Sequence, residues 1–176
     1  MVGVPFIILL IAATLLTALV TGLLFGFALV TMPGIRKLGD REFLRAFQVM
    51  DRIIQNNHPL FILVWAGSAL LLLVSGALGI GALPPVLRIT LIVAVAGYFA
   101  GVQIPTVTIN VPMNNALQKV DLETAPEEVV RSARRKFEAR WNRWNRRRTI
   151  AGTGVTVALL VVLGLATPVL AHVPAF

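Results

Sequence analysis

The sequence predicts an all-α fold, a four-transmembrane-helix bundle with a cytosolic amphipathic helix and a cytosolic extension of the last helix. Three observations carry that expectation. The 176 residues are 57% hydrophobic, with a mean hydropathy of +0.82, which is too apolar for an ordinary soluble domain. The runs 1–35, 59–87, 89–118 and 149–176 hold no Asp, Glu, Lys or Arg, and each exceeds the ~20 residues that cross a bilayer. Of the 16 basic residues, five lie between the first two runs, ten between the last two, and only Arg88 in the remaining turn. Cytoplasmic loops of membrane proteins retain Lys and Arg. The split therefore places both charged segments in the cytosol and both termini outside, as in a bacterial-type inner membrane. The net charge of +8 belongs to these flanking segments, so membrane lipids and not nucleic acid are the expected partners. Disorder is excluded by the hydropathy, and the lack of cysteine removes disulfide scaffolds, thiolate catalysis and cysteine-ligated metals.

The elements follow in order within one integral membrane domain, 1–176. The first span covers about 4–32 and is expected to be retained, because it lacks a basic leader and a small-residue cleavage site. In the arm 33–58, Asp40 can cap a helix that carries Leu44, Phe47 and Ile54 on one face and Gln48, Asp51 and Gln55 on another. Spans at about 59–81 and 86–109 are joined by Pro84-Pro85, which turns the chain into an antiparallel hairpin. In the arm 110–148, Thr124-Ala125-Pro126-Glu127 reads as a capping box. From there a helical pattern without Gly or Pro continues into the last span, about 149–171. Gly22-x-x-x-Gly26 and Gly97-x-x-x-Gly101 permit close helix contact, chiefly inside the bundle, with a homo-oligomer as the alternative.

Polar side chains cluster at the cytosolic helix ends. They are Gln48, Asp51, Gln55, Asn56, Asn57 and His58; Asn110, Asn114 and Asn115; and Trp141, Asn142, Trp144, Asn145, Arg148 and Thr149. Asn110 and Asn114 share a helical face, while Pro105 and Pro112 free backbone carbonyls beside them. Phe137, Trp141, Trp144 and Arg148 form a stripe on the last helix. Each feature also has a plain reading. Trp141 and Arg140, Arg143, Arg146 and Arg147 suit an aromatic belt with lipid headgroups, the asparagines can satisfy freed backbone, and His58 can stand in solvent. His172 lies near the opposite end, so it cannot easily share a haem or metal with His58; a metal would rest on His58 with Asp51 or Glu138. No phosphate loop, dinucleotide fingerprint, HExxH or nucleophile elbow is present.

Three strings occur in order around these spans: Phe43-Leu44-Arg45-Ala46-Phe47-Gln48-Val49-Met50-Asp51-Arg52-Ile53-Ile54-Gln55-Asn56, Asn110-Val111-Pro112-Met113-Asn114, and Arg140-Trp141-Asn142-Arg143-Trp144-Asn145-Arg146-Arg147-Arg148-Thr149. Together they resemble the anthrone-oxygenase-like family of small integral membrane proteins. That resemblance implies a four-helix membrane fold. In the polyketide-pathway members it implies an oxygenase that converts an anthrone to an anthraquinone with O2 and no known cofactor.

Such chemistry needs a base for an acidic C–H, donors for the developing oxyanion, and a dry flat pocket. His58 or Asp51 is the candidate base, and Asn110, Asn114, Asn145 and Arg148 are the candidate donors. Trp144 with Phe47 is the candidate stacking wall, with Gln48, Asn56 and Trp141 as further substrate contacts. No metal and no cofactor is expected. The alternative function is non-catalytic binding of a lipid, quinone or partner protein in the same polar pocket.

Overall fold

The computed structural model describes residues 3–171, and all regular structure among them is helical; His172 lies outside these residues. The helices are α1 (Val4–Ile35), α2 (Asp40–Gln55), α3 (Pro59–Ala82), α4 (Pro85–Gln118) and α5 (Glu127–Ala171). All but α2 are long and apolar enough to cross a membrane. Proline sits in the first turn of α1, α3 and α4, where its missing N–H would have had no helical partner anyway. The link between α2 and α3 passes through Asn57 at φ 55, a left-handed conformation that asparagine tolerates.

Three local expectations are corrected. Helix α4 does not end near Ile109 but continues to Gln118. It accommodates Pro105 and Pro112 through two π turns, Phe99–Gln103 and Thr106–Asn110. The hydroxyls of Thr106 and Thr108 donate to the Val102 and Ile104 carbonyls at 2.7 and 2.8 Å, the kind of side-chain bond that offsets broken helical pairing in a span. Second, the capping box before α5 does not form. Thr124 Oγ1 donates to Asp121 Oδ2 at 2.6 Å, and Glu127 pairs with Arg41 at 2.6 Å. Third, Asp40 is the first residue of α2, behind Gly39, and its carboxylate pairs with Arg134 at 3.0 Å instead of capping.

Helix α5 is unbroken over 45 residues, about 68 Å at 1.5 Å per residue. That is roughly twice the ~30 Å thickness of a hydrocarbon core, so one end must project beyond the other spans. The four long helices form a ring in which α1 packs on α3 and α5, and α4 on α5 and α3. Their shared core contains Leu10, Leu72, Leu91, Tyr98, Leu159 and Val162, and a buried hydrogen bond of 2.7 Å joins Ser68 of α3 to Tyr98 of α4. The absence of a side chain at Gly101 brings α4 onto α5: a Cβ there would lie 2.5 Å from Ala151 Cβ. Gly22 and Gly26 have nothing within 4 Å of such a Cβ, so that pair is not a packing device within the chain.

A second core occupies the charged end, where α2 folds over the projecting part of α5. It contains Met32, Phe43, Leu44, Phe47, Phe137 and Trp141. Two arginines fasten it. Arg41 donates to the carbonyls of Leu122 and Ala125. Arg134 donates to the carbonyls of Leu38 and Arg36, pairs with Asp40 and Glu138, and sits 4.3 Å over the Phe43 ring. The amphipathic helix is thus a fixed cap on the bundle.

Candidate active site

Between this cap and the bundle core lies a cavity of about 420 Å³, within the ~300–1,000 Å³ range of small-molecule sites. Its walls are mostly apolar: Leu19, Leu23 and Phe27 from α1, Phe47 from α2, and Phe61, Val64 and Trp65 from α3. Phe27, Phe47 and Trp141 form one aromatic cluster, with ring centroids 5.2–6.4 Å apart. Into this surface project Asp51, Asn110, Asn114 and Arg148.

Asp51 is 3% exposed and accepts three amide hydrogen bonds. Asn114 Nδ2 donates to Oδ1 at 2.7 Å, while Gln55 and Gln118 Nε2 donate to Oδ2 at 2.7 and 2.9 Å. A carboxylate has about four acceptor positions, so one on Oδ1 stays free on a residue that lines the cavity. The Asn114 amide is itself oriented, because its Oδ1 accepts from Trp141 Nε1 at 2.9 Å. The chain Trp141–Asn114–Asp51 therefore fixes which way the carboxylate faces.

Arg148 is 4% exposed, and among the described residues no carboxylate lies within 4.0 Å of it. Its Nη1 donates to Thr106 Oγ1 and its Nη2 to Asn145 Oδ1, both at 3.0 Å, and its Nε has no partner. Asn145 in turn donates from Nδ2 to the Leu24 carbonyl at 2.9 Å, just before a π turn of α1 at Phe27–Thr31. Asn110, 2% exposed, has neither amide atom partnered. A buried cation held only by neutral groups is costly, and so are idle amide atoms. All of them are on residues that line or back one cavity.

Of the polar and aromatic residues singled out in the sequence, Phe47, Asp51, Gln55, Asn110, Asn114, Asn115, Trp141 and Arg148 line the cavity, and Asn145 stands behind Arg148. The others are elsewhere. His58 and Asn56 are exposed at the α2–α3 link, so His58 is not brought to the site, nor to Asp51 or Glu138 as a ligand pair. Gln48 is buried but braces α2 on the Leu117 and Val120 carbonyls at 2.9 and 3.0 Å. Trp144 is half-buried outside the cavity, under Arg147 at 4.7 Å; the ring beside Phe47 in the cavity wall is Trp141. Thr106, Gln118, Phe27 and Trp65 are site residues the sequence reading missed. Gln118 had a signal, since Asn110, Asn114 and Gln118 recur at four-residue spacing on one face. Trp65, inside a uniformly apolar run, had none.

Among the described residues no three His, Cys, Asp or Glu side chains gather to hold a metal ion. A wider groove of about 660 Å³ runs between α4 and α5 outside the cap. Its floor of Met113, Leu117, Val129 and Phe137 has no buried polar group to orient a ligand.

Fold and cavity define a helical membrane protein that holds an acid group and a cation in a sheltered apolar pocket at one end of its bundle. A family profile described as Anthrone oxygenase matches residues 46–158, nearly two thirds of the chain, and the chain belongs to that family. The match contains Asp51, Asn110, Asn114, Asn145 and Arg148. No curated protein and no solved structure matches the chain.

Proposed function

We propose that the protein is a membrane-embedded oxygenase acting with O2 on a flat, apolar, anthrone-like aromatic that carries an acidic C–H beside a carbonyl. The observation that supports this most is the pairing, in one aromatic-walled cavity, of a carboxylate with a free acceptor position and a cation without a counter-charge. Asp51 takes the proton from the acidic carbon, and Asn114, held by Trp141, keeps the carboxylate aimed at it. The negative charge moves onto the substrate oxygen, where Arg148 and the unpartnered amide of Asn110 stabilise it. Asn145 and Thr106 orient Arg148. The electron-rich enolate passes an electron to O2, and recombination gives a peroxide at that carbon. Loss of water leaves a new carbonyl: one CH2 and one O2 become one C=O and one H2O, with no outside reductant.

The test is O2 consumption by purified protein with dithranol or emodin anthrone, measured above the spontaneous rate. Asp51→Asn and Arg148→Met should each return the rate to that background. A protein that copurifies with a stoichiometric lipid or quinone and shows no turnover is a binding protein, and the oxygenase reading falls.

A further inference from the structure

The cavity has two ways out, and their chemistry differs. Towards the charged end it is covered by α2, whose Phe47 and Asp51 are buried and whose position is fixed by Gln48 and Arg41, and only a polar rim at Gln55 and Asn115 reaches the surface. Six lining residues are substantially exposed: Gln55, Val111 and Asn115 at the polar rim, and, on the flank between α1 and α3, Leu19 (50%), Leu23 (41%) and Ile62 (38%). The three flank residues are aliphatic, and they sit on helices apolar enough to cross a membrane. Helices α1 and α3 touch closely at Gly67, where a Cβ would lie 2.9 Å from Leu16 Cδ1. Nearer the charged end, Leu19 of α1 and Ile62 of α3 line the cavity instead. A slot therefore starts where the Gly67 contact stops.

We infer that this slot between α1 and α3 is a lateral portal, and that the ligand is an aromatic compound dissolved in the bilayer which slides in sideways with its polar edge towards Arg148. Water-exposed leucines and isoleucines at an aqueous mouth would be unfavourable, whereas the same side chains facing lipid cost nothing. A polycyclic body partitions into hydrocarbon and reaches the slot at high local concentration. The only polar groups it meets on the way in are those at the inner wall, so the ligand is oriented as it arrives. The portal rests on the cavity being a ligand site; it does not depend on oxygenase turnover.

The chain has no cysteine, which gives a clean test on full-length protein in phosphatidylcholine nanodiscs. Single variants Leu23→Cys at the slot, Leu70→Cys on the lipid-facing side of α3, and Asn115→Cys at the exposed polar rim are folded first. Each is then converted to a benzyl disulfide adduct. Uptake of 1,8-dihydroxyanthraquinone is followed by the saturable quenching of Trp65 and Trp141, which line the cavity. The Leu23 adduct should slow uptake by about tenfold or more, as expected when association must wait for an obstructing group to move. Dithiothreitol should restore the rate, and the Leu70 adduct should leave it unchanged. Slowing by the Asn115 adduct alone, or no slowing by the Leu23 adduct, would overturn the portal while leaving the cavity intact. Absence of saturable quenching in the unmodified protein would overturn the cavity as a ligand site and the portal with it.

Discussion

Replacing Arg148 with Met separates a functional charge from a structural one, because the two roles predict opposite balances of stability and turnover. The wild-type guanidinium makes two hydrogen bonds, to Thr106 and Asn145. At about 1.5–3 kcal/mol for a charged donor, their loss removes roughly 3–6 kcal/mol. Asn145 Oδ1 is left without a partner, which adds about 1–3 kcal/mol, while Thr106 keeps its bond to the Val102 carbonyl. Against this stands relief from burying a cation at 4% exposure with no carboxylate beside it, worth several kcal/mol. Methionine also refills most of the volume. The opposing terms are similar in size, so folding stability should change by no more than about 2 kcal/mol either way, with the thermal midpoint moving about 2–4 °C per kcal/mol. Turnover should fall by about 10²–10³, the usual loss when one donor to a developing oxyanion is removed. Both quantities come from one preparation in detergent: tryptophan fluorescence against temperature, and O2 uptake with dithranol. A variant that unfolds far more easily, yet turns over normally per folded molecule, would refute the assignment of Arg148 to the ligand.

Asp51→Asn should keep the carboxylate's shape but set an NH2 against the donors Gln55 and Gln118; turnover should drop by about 10²–10⁴ and stability by about 1–3 kcal/mol, measured in the same two assays. His58→Ala, at an exposed position, should leave turnover within about twofold and stability within about 0.5 kcal/mol; a large loss of activity would return His58 to the list of bases. Trp141→Phe keeps a ring against Phe27 and Phe47 but removes the N–H that orients Asn114. It should cost about 1 kcal/mol of stability and lower kcat more than it raises KM. Gly101→Ala should destabilise by about 1–3 kcal/mol, because its methyl would meet Ala151. Gly22→Ala, with open space around it, should be neutral or stabilise by up to about 1 kcal/mol, as read from paired thermal melts.

The transmembrane bundle was legible because hydrocarbon allows few solutions: an uncharged run of the right length can hardly be anything but a helix. The site was legible only where periodicity reached it. Along α5 the buried positions Val130, Phe137, Trp141, Asn145, Arg148, Val155 and Leu159 hold one phase of a 3.6-residue repeat through the charged end into the span. Trp144 lies three residues from Trp141 and four from Arg148, so a short window joins all three. The longer phase puts Trp144 at the edge of the buried face, which is where the structure has it. His58 illustrates the opposite limit. It sits in a link whose direction depends on a left-handed Asn57, and no helical period extends across such a turn. The lining residues Phe61 and Trp65 could not be told from their apolar neighbours, because a cavity wall and a lipid-facing surface use the same side chains.

Polar groups were also easier to locate than to assign. Gln48 and Gln118 are chemically alike and both near Asp51 in sequence or space, yet Gln48 holds backbone carbonyls that tie α2 to α4 while Gln118 holds the carboxylate. The difference lies in what each amide leaves unsatisfied. The groups that fasten the cap have found partners, Arg41, Arg134 and Gln48 each being engaged by carbonyls or acids, whereas in the bundle single atoms of Thr17, Thr21, Ser75, Arg88 and Gln103 stay unpartnered but scattered, none of them on a cavity-lining residue. At the cavity the bookkeeping stays open, with Asn110 wholly idle, Arg148 missing a counter-charge and one partner, and a free acceptor position on Asp51. A fold selected for stability alone would gain by replacing these groups with aliphatic ones. Their concentration at a single apolar pocket is intelligible if a ligand completes the set, and the Arg148→Met balance of stability against turnover tests that inference directly.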